Sequence, residues 1–241
     1  MADVLPRPVA GPARAAALAR LMQLSSPTLP VGAFSYSQGL ESALEAGWIC
    51  DAATAGDWIE SLGAGPYAQL EAPLWWRAHA AWQAGDAAAL QAVNDLHLAS
   101  REGAELRAEA LQMGWSLARL ARDLGAFGPA QQALLPAIEP PGFLVLHAGL
   151  AWAWDLDPEE ALLGHAWSWA ENQVMAAVKL IPLGQTEGQR LLLRLGDRLP
   201  DWVATGRTLA GGGEAALGGL APGLGLAASR HEVQINRIFR S

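Results

Sequence analysis

Arg101-Glu-Gly-Ala-Glu-Leu-Arg-Ala-Glu-Ala-Leu-Gln-Met-Gly-Trp-Ser-Leu-Ala-Arg-Leu-Ala-Arg-Asp-Leu124 decides the fold class. Leu106, Ala110, Met113, Leu117, Leu120 and Leu124 recur at helical spacing, while Glu102, Glu105, Arg107, Glu109, Arg119 and Arg122 lie mostly on other faces. That spacing predicts a long amphipathic helix, and the same period extends outward in both directions. On the N-terminal side helices are expected over Arg14–Leu24, Ser35–Gly47, Asp51–Leu70, Pro73–Ala84 and Asp86–Ser100. The second of these has the Ser-x-x-Gln form of a capping box from Ser35 to Gln38 and a left-handed cap at Gly47. On the C-terminal side they are expected over Gly142–Trp154, from Asp157 to Pro182, and over Gly184–Gly196 and Pro200–Leu209. Asp157-Pro158-Glu159-Glu160 supplies a cap, a proline at the first helical position and an acidic first turn. Valine, isoleucine, threonine and tyrosine are sparse, so nothing argues for a sheet. The fold class is all-α, a single-domain bundle of many helices with a flexible C-terminal tail.

Domain organisation follows: a disordered leader over 1–13, a helical domain over 14–209, a glycine-rich tether over 210–227 and a tail over 228–241. The tether should stay mobile, because ordering glycine costs the most backbone entropy. The tail, Ala228-Ser-Arg-His-Glu-Val-Gln-Ile-Asn-Arg-Ile-Phe-Arg-Ser241, sets three arginines against Glu232 and adds Val233, Ile235, Ile238 and Phe239 as apolar anchors. Two readings are open: a hook for a partner's groove, or a segment packing back on its own domain.

The chain of 241 residues is 51% hydrophobic, enough for one large core, and carries a formal charge of −8. That charge argues against binding nucleic acid or an anionic membrane. The uncharged run Pro140–Trp154 is too short to span a bilayer and reads as a buried core helix. One cysteine, Cys50, excludes an internal disulfide and fits a reducing compartment, and no secretion signal is read at the start, so a cytoplasmic location is expected.

Chemistry is hard to find. A P-loop needs a lysine after its glycines, yet the single lysine, Lys179, follows Val178 inside a helix. Gly223-Leu-Gly-Leu-Ala-Ala228 matches a dinucleotide fingerprint only formally, with no strand ahead of it. His79, His97, His147, His165 and His231 are scattered, so no metal site is local in sequence. Ser35 and Ser37 lack the glycines of a nucleophile elbow. Neither a catalytic residue nor a metal ligand is assigned, no cofactor is expected, and the chain does not read as an enzyme. Glu41 is either a solvated charge or functional. Lys179, alone against fifteen arginines, either answers a helix dipole or supplies a point charge that a guanidinium could not.

Leu21-Met-Gln-Leu-Ser-Ser-Pro-Thr-Leu-Pro-Val-Gly-Ala-Phe-Ser-Tyr-Ser-Gln-Gly-Leu-Glu41, continuing to Trp48, resembles the UreF family of urease accessory proteins. So do Asn172-Gln-Val-Met-Ala-Ala-Val-Lys-Leu-Ile-Pro-Leu-Gly-Gln185, the tail, and Ser100-Arg-Glu-Gly-Ala-Glu-Leu-Arg107 with Glu109. The four stand in the family's order. Ile235 departs from the aromatic or polar residue common there, and the glycine-rich tether is peculiar to this chain. The resemblance implies a cytosolic, homodimeric, all-α protein without catalysis of its own. It implies that the chain joins UreD (also called UreH), recruits the nickel-carrying GTPase UreG to apo-urease and gates nickel insertion. The alternative is a metal-dependent helical enzyme whose site forms only in three dimensions. Candidate partner-binding residues are Gln38 and Glu41, Lys179 and Gln185, and Arg230, His231, Arg237, Phe239 and Arg240. By the resemblance, Glu41 and Lys179 match positions facing UreG, and the tail arginines match those that dock on UreD. Alanine at Glu41 or Lys179 is then expected to leave folding intact.

Overall fold

A computed structural model describes residues 12–241. It contains α1 (Pro12–Leu24), α2 (Leu40–Glu45), α3 (Ala52–Leu62), α4 (Ala72–Ala84), α5 (Ala87–Ala99) and α6 (Ala104–Asp123). These are followed by the one-turn α7 (Pro129–Gln132), α8 (Phe143–Ala153), α9 (Pro158–Leu180), α10 (Gln185–Gly196), α11 (Leu199–Ala210) and α12 (Pro222–His231). Among the described residues there is no strand, so the all-α reading holds. The leader expected over 1–13 lies outside the described residues except for Pro12 and Ala13, which already belong to α1.

Helix starts follow their caps. Asp157 Oδ1 accepts from the amides of Glu159 and Glu160, both at 3.0 Å, and opens α9 as its sequence requires. Asp51 and Thr54 form a reciprocal capping box at α3. The box expected at Ser35 and Gln38 does not form. Ala33–Ser35 is a single 3-10 turn, and α2 waits until Leu40 because Gln38 and Gly39 both take positive φ, 51° and 78°. The Asp51–Leu70 helix is also interrupted: Gly63–Glu71 widens into π geometry around Gly65 and Pro66, where the proline removes a backbone donor.

Helix α4 is central, packing against α5, α8, α11 and the π segment. Its Trp75 and Trp82 are fully buried, and α8 is buried on every side from Leu144 to Ala151 because it runs between α4 and α6. Trp82 donates through Nε1 to the Val145 carbonyl at 2.8 Å, and its indole lies where a Cβ on Gly149 would stand. Gly114 on α6 allows the Pro141 carbonyl to approach so closely that an added Cβ would sit 2.0 Å from its oxygen. Because that neighbour is backbone, Gly114→Ala should destabilise the fold by about 2–3 kcal/mol, read by denaturant unfolding. An unchanged midpoint would mean that α6 and α8 slide apart freely.

The residues expected to form a loose tether differ from that expectation. Arg77 on α4 donates to the carbonyls of Ala210 and Gly212 at 3.1 and 2.6 Å, and the Gly218 amide donates to the Gln69 carbonyl. Residues 222–231 then form α12, which starts on Pro222 and lays Ala227 against Gly39 of the α2 cap. The small residues that made this stretch look low in complexity are those that let two helices meet closely.

Candidate functional site at the docked tail

The tail lies in the groove between the start of α2 and the N-terminal half of α6, and a buried cluster of charges holds it there. Glu41, only 6% exposed, accepts from the amides of Ile238 at 2.7 Å and Phe239 at 2.9 Å. The wholly buried His231 places Nδ1 2.6 Å from Glu105 and Nε2 3.3 Å from Glu41. Arg237 donates to the second Glu105 oxygen at 2.5 Å and to the carbonyls of Gln234 and Glu232. Glu232 accepts at 2.7 Å from the amide of Ala104 and so caps α6 from outside, an acid at the positive end of a helix dipole. The last residue is locked as well: the Ser241 carbonyl accepts from the Ser37 amide and hydroxyl, and the Ser241 hydroxyl donates to Glu109 at 3.0 Å.

Gln38 links this cluster to the interior. Its amide nitrogen donates to the free side of Glu109 at 2.7 Å, and its oxygen accepts from the Trp169 indole at 2.8 Å and from Gln173. Burial raises the Glu109 carboxyl to about 7 despite the Gln38 and Ser241 bonds, which favour the ionised form. Behind it is a cavity of about 280 Å³ lined in part by Gln38, Glu109, His97, His147, His165 and Trp169. Burial depresses all three histidines, His165 to about 4, so each is neutral near pH 7. Trp75 donates to His147 Nδ1 at 3.0 Å, which leaves the proton of that neutral ring on Nε2. An ion pair at 2.9 Å between Glu71 and Arg101 stands where this cavity meets a second of about 380 Å³ beside residues 217–221. Among the described residues, no three His, Cys, Asp or Glu side chains converge as a metal site.

The candidates read from sequence fall into three environments. Gln38, Glu41, His231, Arg237 and Phe239 meet in the cluster. Lys179 and Arg230 are exposed, with Lys179 Nζ 4.6 Å above the Phe239 ring and the Arg230 guanidinium 5.2 Å above Trp48; Arg240 is exposed beside Tyr36. Gln185 stands apart at the first position of α10. The tail thus packs back on its own domain, the second of the two readings left open. Phe239 is not an outward anchor, and Glu41 is not a solvated charge, because both are used in holding the chain to itself. The residues facing water are Val233, Ile235 and Ile238, at 79, 95 and 56% exposure. Sequence reasoning left Ser37, Glu105, Glu109 and Ser241 out of the candidates. Glu109 carried a signal: three residues after Leu106 and four before Met113, it falls within the apolar stripe.

Comparison with known proteins places the chain in a family. The UreF family model matches residues 49–196. A urease accessory protein UreF of Dechloromonas aromatica is 49% identical over 93% of this chain and 97% of its own length. That of Azoarcus sp. strain BH72 is also 49% identical, over 93% and 95%. A bifunctional urease accessory protein UreEF of Bordetella bronchiseptica is 48% identical over 93% of this chain and 52% of its own. With the matched region covering most of the helical domain and near-half identity running through almost the whole chain, this protein belongs to the UreF family of urease accessory proteins.

Proposed function

We propose that the chain is a non-enzymatic scaffold of urease maturation. It joins UreD (UreH) to the GTPase UreG on apo-urease and gates nickel insertion, acting as a cytoplasmic homodimer. It needs no cofactor and does not hold nickel tightly itself. One observation carries this reading: an apolar strip of Val233, Ile235 and Ile238, flanked by the exposed Arg230 and Arg240, is held outward on a segment that the Glu41 cluster fixes to the domain. Exposed apolar side chains with arginines at either end, on a segment bonded to its own domain, form the kind of surface a protein partner covers. The strip is assigned to UreD, and the exposed Lys179 with Gln185 to the side that meets UreG. The fusion in the Bordetella UreEF protein supports a role in company with other accessory proteins.

The test is co-purification with UreD. Ile235→Asp should weaken the complex at least tenfold, because it loses a buried isoleucine worth about 1.5–3 kcal/mol and places a charge in the interface. Its melting temperature should match wild type, since Ile235 is 95% exposed in the free chain. Unchanged binding would overturn the assignment of the strip. A further expected result concerns metal: calorimetry of the isolated chain should show no stoichiometric nickel site of micromolar or better affinity. Finding one would favour the alternative of a metal-dependent site.

A further inference from the structure

Three carboxylates lie beneath the docked tail, and the tail supplies an arginine to only one of them, Glu105. Glu105 meets Arg237 and His231, and Glu41 meets His231 and two backbone amides. Glu109 meets only neutral donors, the Gln38 amide and the Ser241 hydroxyl, and is 6% exposed. Enclosing an ionised carboxylate with no cation in contact is costly, whereas enclosing the neutral acid is not. We propose that the end of the chain is a proton-linked latch, in which docking of residues 232–241 and protonation of Glu109 favour each other. The latch is a property of the free chain and stands whether or not a partner covers the tail.

The other charges around Glu109 do not replace the missing cation. Arg101, before α6, is paired with Glu71 of the π segment, so the two largely offset each other at Glu109. His97 on α5, His147 on α8 and His165 on α9 line the same cavity but are neutral near pH 7, and Glu171 on α9 adds only a further carboxyl. Tyr36 is held neutral by burial and has Arg240 beside it, Glu41 is occupied by the tail amides, and Lys179 lies over Phe239. Linkage fixes the sign. The docked-state value of about 7 exceeds the ordinary carboxylate value of 4.5, so docking is undiminished below about pH 4.5. It weakens about tenfold per pH unit as the released form alone ionises, and it levels off above about 7. Ser241 would report this change directly, because its hydroxyl contacts the titrating oxygen.

Hydrogen exchange of the Ile238 and Phe239 amides in the full chain, corrected for intrinsic base catalysis, reads docking. Protection should fall roughly 40-fold between pH 5 and 7 in wild type. In Glu109→Gln, which is neutral at every pH, the fall should shrink at least tenfold. An equal fall in wild type and Glu109→Gln, or none in wild type, would overturn the latch. If Glu109→Gln does not fold, carboxyl carbon NMR decides. The Glu109 midpoint should lie near 7 in wild type, rise in Ser241→Ala with loss of a donor to the anion, and drop by more than one unit in Glu41→Ala as the tail leaves. A midpoint that ignores both substitutions would show that Glu109 does not sense the tail.

Discussion

Replacing Glu41 by alanine should lower stability by roughly 3–5 kcal/mol and free the tail, the largest effect expected of any charged residue here. The carboxylate satisfies two backbone amides and one nitrogen of a wholly buried imidazole. Without it those donors must either stay unpaired, at about 1–3 kcal/mol each, or carry the tail into water and forfeit the burial of Phe239. The melting temperature should then fall by roughly 6–20 °C for a chain of this size. Protection of the Ile238 and Phe239 amides should disappear with it. This corrects the expectation that Glu41 could be removed without cost, which assumed an exposed charge. Lys179→Ala is the contrasting control, since an exposed cation above a ring contributes about 0.5–1 kcal/mol. Equal melting of the Glu41 variant and wild type, with the amides still protected, would contradict the bonding described.

Trp82→Ala should be comparably severe, at roughly 3–5 kcal/mol, for a different reason. Its ring is 1% exposed, stacks on Phe127 at 5.3 Å and fills the space that Gly149 leaves open on α8. Removal leaves a void between two helices that cannot close without moving α8, which also positions His147 on the cavity wall. Trp82→Phe should recover more than half the loss by restoring the stacked ring, leaving the missing bond to Val145 as the remainder. Urea unfolding of the two variants measures both quantities. Equal loss in the two would place the energy in the hydrogen bond instead of the packed volume.

Helix periods in this chain were legible because they are local. Asp157-Pro158-Glu159-Glu160 announces α9, and the stripe from Leu106 to Leu120 announces α6, from residues a few positions apart. The failures have non-local causes. Ser35 and Gln38 have the spacing of a capping box, but Gln38 turns to Glu109 and Trp169, partners 71 and 131 residues away. Glycine-rich residues 222–231 form a helix because Gly39, far away in sequence, accepts their close approach. The candidate site was legible in its parts. Glu41, His231 and the tail arginines were singled out, but nothing within fourteen residues of chain end shows that Glu41 receives the tail's own amides.

Whether the outward strip of the docked tail serves urease maturation is read in cells lacking their own UreF relative. Urease activity and urease-bound nickel are measured together after supplying wild type or Ile235→Asp at equal abundance. Wild type should restore both, and the variant, folded as shown by its melting curve, should restore less than a tenth of either. Full restoration by Ile235→Asp would contradict that role.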